Sequence, residues 1–309
     1  MTVRRIVLLG ATASGKTELS LRLAEILGTS IVSVDARQSY KYLDIGTAKV
    51  TPEQRKRVPH FNLDVHDPSE RDSPYDFLSR VESWEAHHMS STQSPPPMLY
   101  VGGSTLYLTS IITGLDNLPK ANQDRVVELG RRADAEGLES LYQELQALDP
   151  KYATKMDGLN RQRLIRALDV YHETGKPFSS FHTQEIPHCP KDMLVFGIGR
   201  ARTDLHERIN RRVDHMIQQG LEEEVSTLLA MGYTQDSPGL QTVGYSELLS
   251  VHKGALNRKE AIEKIKTNTR RYAKRQETWF RKWPFIQWLD ADRMSLEDML
   301  HPIIKLLNP

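Results

Sequence analysis

The octapeptide Gly10-Ala11-Thr12-Ala13-Ser14-Gly15-Lys16-Thr17 follows the apolar run Arg5-Ile6-Val7-Leu8-Leu9 and opens a helical pattern. This is G-x-x-x-x-G-K-[ST] in the strand–turn–helix setting that the motif requires. Its glycines let the backbone wrap closely, its N–H groups turn inward, and the helix N-terminus adds partial positive charge. Such a loop is built for a phosphate chain. Lys16 has the reach for the distal phosphates, and the Thr17 hydroxyl can ligate a magnesium ion. Leu19, Leu23, Ile26 and Leu27 give the following helix an apolar face, and Gly28 ends it. The loop does not specify whether its phosphates belong to a nucleotide.

The first third of the chain continues this alternation of short apolar runs and helical patterns, the signature of an α/β core around a parallel sheet. Ile31-Val32-Ser33-Val34-Asp35 reads as a second strand ending in a carboxylate, Phe61–Val65 as a weaker one, and Met98–Gly103 as a third strong one. After Leu118-Pro119 the character changes. Residues 122 to about 175 show only helical patterns, and a last strand, Met193–Ile198, returns to the core before a mostly helical remainder. The order implies a P-loop nucleoside-triphosphate-hydrolase-like core over 1–117, a helical insertion over 118–192, and completion of the core with a basic, aromatic tail over 193–309. Charge is nearly balanced, 41 basic against 40 acidic residues, so a nucleic-acid site must come from local clustering. Cys189 stands alone, which excludes an intrachain disulfide and a multi-cysteine zinc site. With no apolar run of membrane-spanning length, the chain reads as a soluble, cytoplasmic protein.

In open α/β sheets the chemistry gathers at the carboxyl ends of the strands. Asp35 and Gly102-Gly103-Ser104 should therefore meet the Gly10–Thr17 loop. Asp35 carries two readings, a magnesium-holding carboxylate and a general base. Ser104 can donate to a phosphate, orient a nucleophile, or simply cap the helix that follows it. A third feature is Thr269–Trp283, which holds six cations and one anion among interleaved aromatics. At helical spacing Tyr272, Gln276, Trp279 and Trp283 form one stripe, with Arg270, Lys274 and Arg281 elsewhere, an arrangement suited to a phosphate backbone and stacked bases. The runs Arg208–Arg212 and Arg161–Arg166 repeat the basic theme. His60 with His66, and His87 with His88, lack the carboxylate frame of a metal site and read as surface or packing residues.

Taken in order, these segments closely resemble the bacterial tRNA dimethylallyltransferases over nearly the whole length. The likeness is carried by Gly10–Thr17, Ser33–Tyr40, Leu43–Lys49, Val101–Tyr107, Arg163–Tyr171, Val243-Gly244-Tyr245 and Thr269–Arg281. The resemblance implies transfer of a dimethylallyl group from its diphosphate to N6 of the adenine 3′ of the anticodon, in tRNAs reading U-starting codons. Magnesium assists and diphosphate leaves.

On this view the loop, Gly10 through Thr17 with Ala11, Thr12, Ala13, Ser14, Gly15 and Lys16, cradles a prenyl diphosphate, and Arg212 faces it. Asp35 becomes the general base, Ser104 takes the place of a family threonine, and Lys16 stabilises the leaving group. Contacts to the tRNA anticodon stem-loop would come from Asp35, Ala36, Arg37, Gln38 and Ser104, and from Arg125, Gln162, Arg163 and Arg166 of the insertion. Gln241, Thr242, Gly244, Tyr245, Lys274 and Arg275 would complete them, while Leu164 and Ile165 pack. The enzyme would act as a monomer. Departures from the family are Ala11 for proline, Ala121-Asn122-Gln123 for Ala-Asp-Pro, an arginine one place early at Arg125, and Ala36-Arg37-Gln38 after Asp35. Rival readings are an adenylate isopentenyltransferase, a P-loop small-molecule kinase using ATP, and a non-catalytic RNA-binding module.

Overall fold

The computed structural model describes residues 3–91, 93–156, 158–182 and 188–307. Residues 157 and 183–187 of the expected insertion lie outside them. Two compact units emerge, one from the chain up to Thr113 and from His188 onward, the other over Gly114–Pro187. The return to the first unit thus falls earlier than residue 192. The reason is local: Asp192 accepts from the N–H groups of Arg4 and Arg5 through its carbonyl (2.9 and 3.1 Å) and binds the Arg5 guanidinium.

The first unit is built on six parallel strands: β1 (Arg5–Gly10), β2 (Ile31–Val34), β3 (His60–Phe61), β4 (Met98–Gly102), β5 (Met193–Gly199) and β6 (Gln287–Asp290), in the order β3-β2-β4-β1-β5-β6. β1 pairs with β4 from Arg5↔Met98 to Leu9↔Gly102, and with β5 from Arg5↔Met193 to Gly10↔Ile198. Both of its faces are covered, which is why Ile6–Leu9 is continuously apolar and wholly buried. On one face Ile6 and Leu8 pack with α1 (Lys16–Leu27) and α13 (Leu296–Leu307). On the other, Val7 and Leu9 meet α3 (Pro74–Ser91), α4 (Thr105–Ile112) and Phe280 of α12 (Arg258–Phe280). α2 (Pro52–Arg57) opens with a Thr51–Gln54 capping box. α9 (Arg202–Gln218), α10 (Leu221–Ala230), α11 (Tyr245–His252) and the start of α12 share a separate core with Tyr40 and Leu43.

Several local expectations change. The weak strand at 61–65 shrinks to His60–Phe61, because Asn62 and Asp64 take left-handed backbone (φ 63° and 55°) that no strand accommodates. β6 has no continuous apolar run; it is an edge strand with only Leu289 buried, so its sequence gives little strand signal. In α1, Leu19, Leu21 and Leu23 are buried while Ile26 is exposed. α12 ends at Phe280, leaving Trp283 buried beyond the helix, and Tyr272 is partly exposed rather than in the core.

The second unit is helical where described: α5 (Gln123–Glu136), α6 (Leu138–Leu148), α7 (Pro150–Ala153) and α8 (Arg161–Thr174) surround Leu129, Leu141, Leu145, Leu164 and Leu168. Asn122, Asp149 and Asn160 cap three of these helices through their side chains. Buried Asp169 on α8 gathers Arg125 (3.4 Å) and Arg166 (2.7 Å). Among the described residues no helix is long and apolar enough to cross a membrane.

The long segment after β2, residues 35–49, is tied down from three sides. Glu224 of α10 accepts the N–H groups of Asp44, Ile45 and Gly46 and the Tyr245 hydroxyl. The buried Lys49 ammonium donates to Asp44, Asp64 and the Tyr40 carbonyl, each at 2.7 Å. Gln38 accepts from the Ser33 hydroxyl and donates to the carbonyls of Thr47 and Ala48. Removing Glu224 strands three backbone donors and a phenol at once. Glu224→Ala should lower unfolding stability by about 2–4 kcal/mol in chemical denaturation.

Candidate active site

β1 hands over to α1 through a loop in which Ala13 (φ 64°) and Gly15 (φ 107°) are left-handed. Gly15 occupies the N-cap position and offers no side chain to the first-turn N–H groups, which remain open to an anion. The Ser14 hydroxyl is buried with no hydrogen-bond partner, a polar group aimed at nothing the protein provides. The outward carbonyls of the loop are held by two arginines: Arg208 Nε donates to Ala13 O (2.9 Å) and Arg200 Nε to Ser14 O (2.8 Å). Arg200 is itself paired with Asp204 and Asp292.

Lys16 Nζ donates to the carbonyls of Gly10 (2.9 Å) and Ala11 (2.7 Å). Burial, reinforced by the charge of Arg212, pushes its ammonium down to about 7, and Asp35 pulls the other way. Burial likewise lowers Arg212, again opposed by Asp35. The guanidinium makes a single long hydrogen bond, to Thr47 O at 3.4 Å. Two desolvated cations thus share one pocket with one carboxylate. One carboxylate facing two cations leaves a net positive charge suited to an anionic ligand.

Asp35 leaves β2 at its carboxyl end and turns back on its own chain, Oδ1 accepting from the N–H groups of Arg37 (2.8 Å) and Gln38 (3.4 Å). That leaves Oδ2 without a hydrogen bond to the described residues. Ser104 stands at the N-cap of α4 but does not cap it; its hydroxyl accepts the Ala36 N–H at 2.9 Å. Its own N–H reaches Val34 O (3.2 Å), so Ser104 pins the end of β2 beside Asp35. The Tyr272 phenol points into the same place. It is pushed up to about 12 by burial and then by the Asp35 charge, with the Ser104 hydroxyl acting in the opposite direction. Asp35, Ser104, Lys16, Arg212 and Tyr272 therefore form one constellation, cationic at the loop and carboxylate-bearing across from it.

Not every expected contact is available. Thr12 cannot lend its N–H to a phosphate, because that group donates to Gln276 Oε1 at 2.9 Å. The Gln38 amide is used up within the chain. Tyr245 is fully buried on Glu224, Gly244 is buried, and buried Thr242 donates to Gly239 O, so these three shape a turn and offer no surface to RNA. In the helical unit Gln162 and Arg163 are exposed, whereas Arg125 is bound to Asp169 and Glu173 and Arg166 to Asp169 and the Pro119 carbonyl. Arg37 is partly exposed, its guanidinium resting on Pro238 O, and Gln241 is exposed.

On the first unit, α9 and α12 border a groove of about 150 Å³ lined by Arg200, Arg202, His206, Arg270, Lys274 and Arg281 against Glu277 alone. Among the described residues Arg202, Arg270, Lys274, Arg275 and Arg281 form no ion pair. His60 and His88 contact the Val58 and Pro96 carbonyls, whereas His66 lies between two carboxylates, Nδ1 3.3 Å from Glu70 and Nε2 3.2 Å from Asp72. The Thr17 hydroxyl is exposed at the start of α1 with no side-chain hydrogen bond among the described residues, and as a hard oxygen donor beside an anion cradle it fits magnesium. Sequence reasoning missed Arg200 and the bridging role of Gln276, which looked like one more member of an aromatic stripe; Arg208 stood out only as part of a basic run.

A phosphate-binding loop facing a carboxylate at the strand ends is the arrangement of an enzyme that works on a phosphate-bearing substrate. The sequence matches the IPP transferase family over residues 38–283 and the Isopentenyl transferase family over residues 1–65. It is 39% identical over 305 residues to the tRNA dimethylallyltransferase of Salinibacter ruber, covering 98% of this chain and 93% of that one. Identity to the Geobacter sulfurreducens tRNA dimethylallyltransferase is 41% over 286 residues, 92% and 91% of the two chains. The crystal structure of tRNA delta(2)-isopentenylpyrophosphate transferase from Staphylococcus epidermidis superposes with TM-score 0.71 at 34% identity over 99% of both chains. A eukaryotic dimethylallyltransferase acting on tRNA gives TM-score 0.79 at 25% identity, over 99% of this chain and 79% of that one. The chain belongs to the tRNA dimethylallyltransferase family.

The lowered Lys16 sets a pH signature. With its free-state value near 7, much of Lys16 is neutral at pH 8, and a bound polyanion restores its charge. Binding of inorganic diphosphate should therefore take up a proton at pH 8, approaching one per site beyond the ligand's own titration, and very little at pH 6. Calorimetry in buffers of different ionisation enthalpy reads this uptake. Lys16→Arg, charged throughout, should abolish it.

Proposed function

We propose that this enzyme transfers the dimethylallyl group of dimethylallyl diphosphate to N6 of the adenine 3′ of the anticodon in tRNAs reading U-starting codons. The observation that carries this reading is the pair of desolvated cations, Lys16 and Arg212, which share one carboxylate, Asp35, beside Ser104. Diphosphate supplies the missing charge. The N–H groups of the loop's later residues, Lys16 and the Arg212 fork stabilise the negative charge that builds on the departing oxygen. Magnesium, held by Thr17 and phosphate oxygens, would add Lewis-acid neutralisation of the leaving group.

The acceptor is a poor nucleophile because its lone pair is delocalised into the purine ring. Asp35 accepts the N6 proton as the N–C bond forms and the C–O bond to diphosphate breaks, its electron pair leaving with the diphosphate. The two backbone N–H bonds to Oδ1 hold the carboxylate so that Oδ2 is the basic oxygen. Ser104 and Tyr272 shape the wall beside it. Magnesium ligation by Asp35 is not required in this scheme.

A base stacked in an anticodon loop cannot reach such a pocket, so the adenine is flipped out to it. We assign backbone contacts to Lys274, Arg275 and the unpaired cations of the α9–α12 groove. Arg37, Gln241, Gln162 and Arg163 are the accessible candidates for contacts to the stem-loop. The kinase and adenylate readings leave this groove and the helical unit without a role. We place the enzyme in the cytoplasm, as a monomer.

Incubation with dimethylallyl diphosphate, magnesium and an unmodified tRNA carrying adenine 3′ of its anticodon should yield N6-prenylated adenosine in the nuclease digest. An untouched digest, or prenylation of AMP instead, overturns the assignment. Asp35→Asn should slow turnover by about 10²–10⁴-fold with near-normal tRNA affinity. Lys274→Ala with Arg275→Ala should weaken tRNA binding and reduce the slope of log affinity against log salt by about 1–2.

A further inference from the structure

The loop and the acceptor centre belong to different strand ends, and the β-ladder between those strands stops short of both. β1 and β4 are last in register at Leu9↔Gly102. Beyond that point one chain turns into the phosphate loop and the other into Gly103-Ser104 and α4. A single side chain closes the gap. Gln276, in the second-last turn of α12 and 3% exposed, accepts the Thr12 N–H through Oε1 (2.9 Å) and donates from Nε2 to Gly103 O (2.8 Å). Its partners lie 264 and 173 residues away in sequence.

The chemistry of this bridge is specific. One partner is a donor and the other an acceptor, so a neutral side chain that both accepts and donates at one planar head is needed, and a primary amide is that group. The amide is flanked on α12 by buried Ala273 and Phe280, which supply no alternative polar partner. Gly103 is shaped for it. A Cβ there would lie 2.4 Å from Gln276 Nε2 and 3.0 Å from Gly10 O, so a side chain at 103 would displace the amide from its bridge and crowd the loop carbonyl.

We propose that Gln276 is a positioning residue that sets the separation between the diphosphate cradle and the Asp35–Ser104 centre. Transfer of an allylic carbon needs the departing oxygen and the attacking nitrogen held in line across that carbon, and small misplacements cost large factors in rate. Thr12 opens the cradle and Gly103 precedes Ser104, so the bridge spans the very interval that the reacting atoms occupy. It touches neither substrate. This inference rests on the prenyl-transfer reading above.

The test compares Gln276→Leu and Gln276→Glu in the full-length enzyme with tRNA and dimethylallyl diphosphate. Both should bind inorganic diphosphate within threefold of wild type while kcat falls roughly 10–100-fold. A carboxylate at this position accepts from Thr12 but faces Gly103 O with a lone pair, whereas the protonated acid both accepts and donates. Burial against a carbonyl raises such a carboxyl. Gln276→Glu should therefore regain rate relative to wild type as pH falls from 8 to 6, and Gln276→Leu should not. The ionisable groups of the adjoining pocket, Lys16, Asp35, Arg212 and Tyr272, are common to all three proteins, so wild type and Gln276→Leu serve as the references.

If Gln276→Leu does not fold, Gly103→Ala breaks the bridge from the other side and should show the same split between kcat and diphosphate binding. Variants that keep wild-type kcat, lose diphosphate affinity in proportion to rate, or show no pH recovery with glutamate overturn the proposal. A wild-type enzyme that prenylates no tRNA would instead remove the function on which it rests.

Discussion

β1 runs between β4 and β5 in parallel register, buried on both faces, and everything at the site follows from that placement. Parallel strands present their carboxyl ends along one edge of the sheet. The phosphate loop after β1, the Gly103-Ser104 turn after β4 and the α9 entry after β5 must therefore emerge side by side. β2, paired with β4, brings Asp35 to the same edge. Part of the cationic side of the site depends on the chain's return to β1 after the helical unit, since Arg200, Arg208 and Arg212 all follow β5.

What gathers there is an electrostatic imbalance. The loop's open N–H groups, Lys16 and Arg212 are positive, and burial makes that positive charge costly without an anion. The protein satisfies part of the demand internally: Lys16 leans on two loop carbonyls, and Asp35 sits within range of both cations. The rest is left for a ligand. Ser14, buried with no partner, belongs to the same incomplete set. In the reaction proposed above a diphosphate would complete it, and the same charge that holds the donor would also stabilise the diphosphate as it departs. Asp35 is kept apart for the acceptor by the backbone bonds at its Oδ1 and by Ser104, which serves the end of β2 instead of its own helix.

Much of this was legible in the linear chain. The loop, the strand-terminal Asp35, Ser104 and the basic run 269–283 all announce themselves through short-range patterns, because a strand–loop–helix junction and a charged helical face are local objects. β6 was not legible and β3 only weakly so, since edge pairing tolerates sequences without continuous apolar character, and Asn62 and Asp64 cut β3 short. Nor were the roles of Tyr245, Thr242, Gly244 and Gln38. Three of them carry polar or aromatic side chains suited to RNA, and Gly244 a backbone N–H, yet each is satisfied by the chain itself, and hydrogen bonds made inside the chain leave no mark on composition.

By itself the sequence determined the ingredients of the site: a phosphate-binding loop on a parallel α/β core, a carboxylate at the end of the next strand, and a basic helix. These depend on residues a few positions apart, where backbone geometry and side-chain type suffice. Only the tertiary structure decided how the parts are joined. Arg208 and Arg200 support the loop, Tyr272 leans on the Asp35 centre, and Gln276 ties Thr12 to Gly103 across hundreds of residues. Such pairings are set by which strands lie next to one another, and a packed sheet with its covering helices is what brings them within hydrogen-bonding distance.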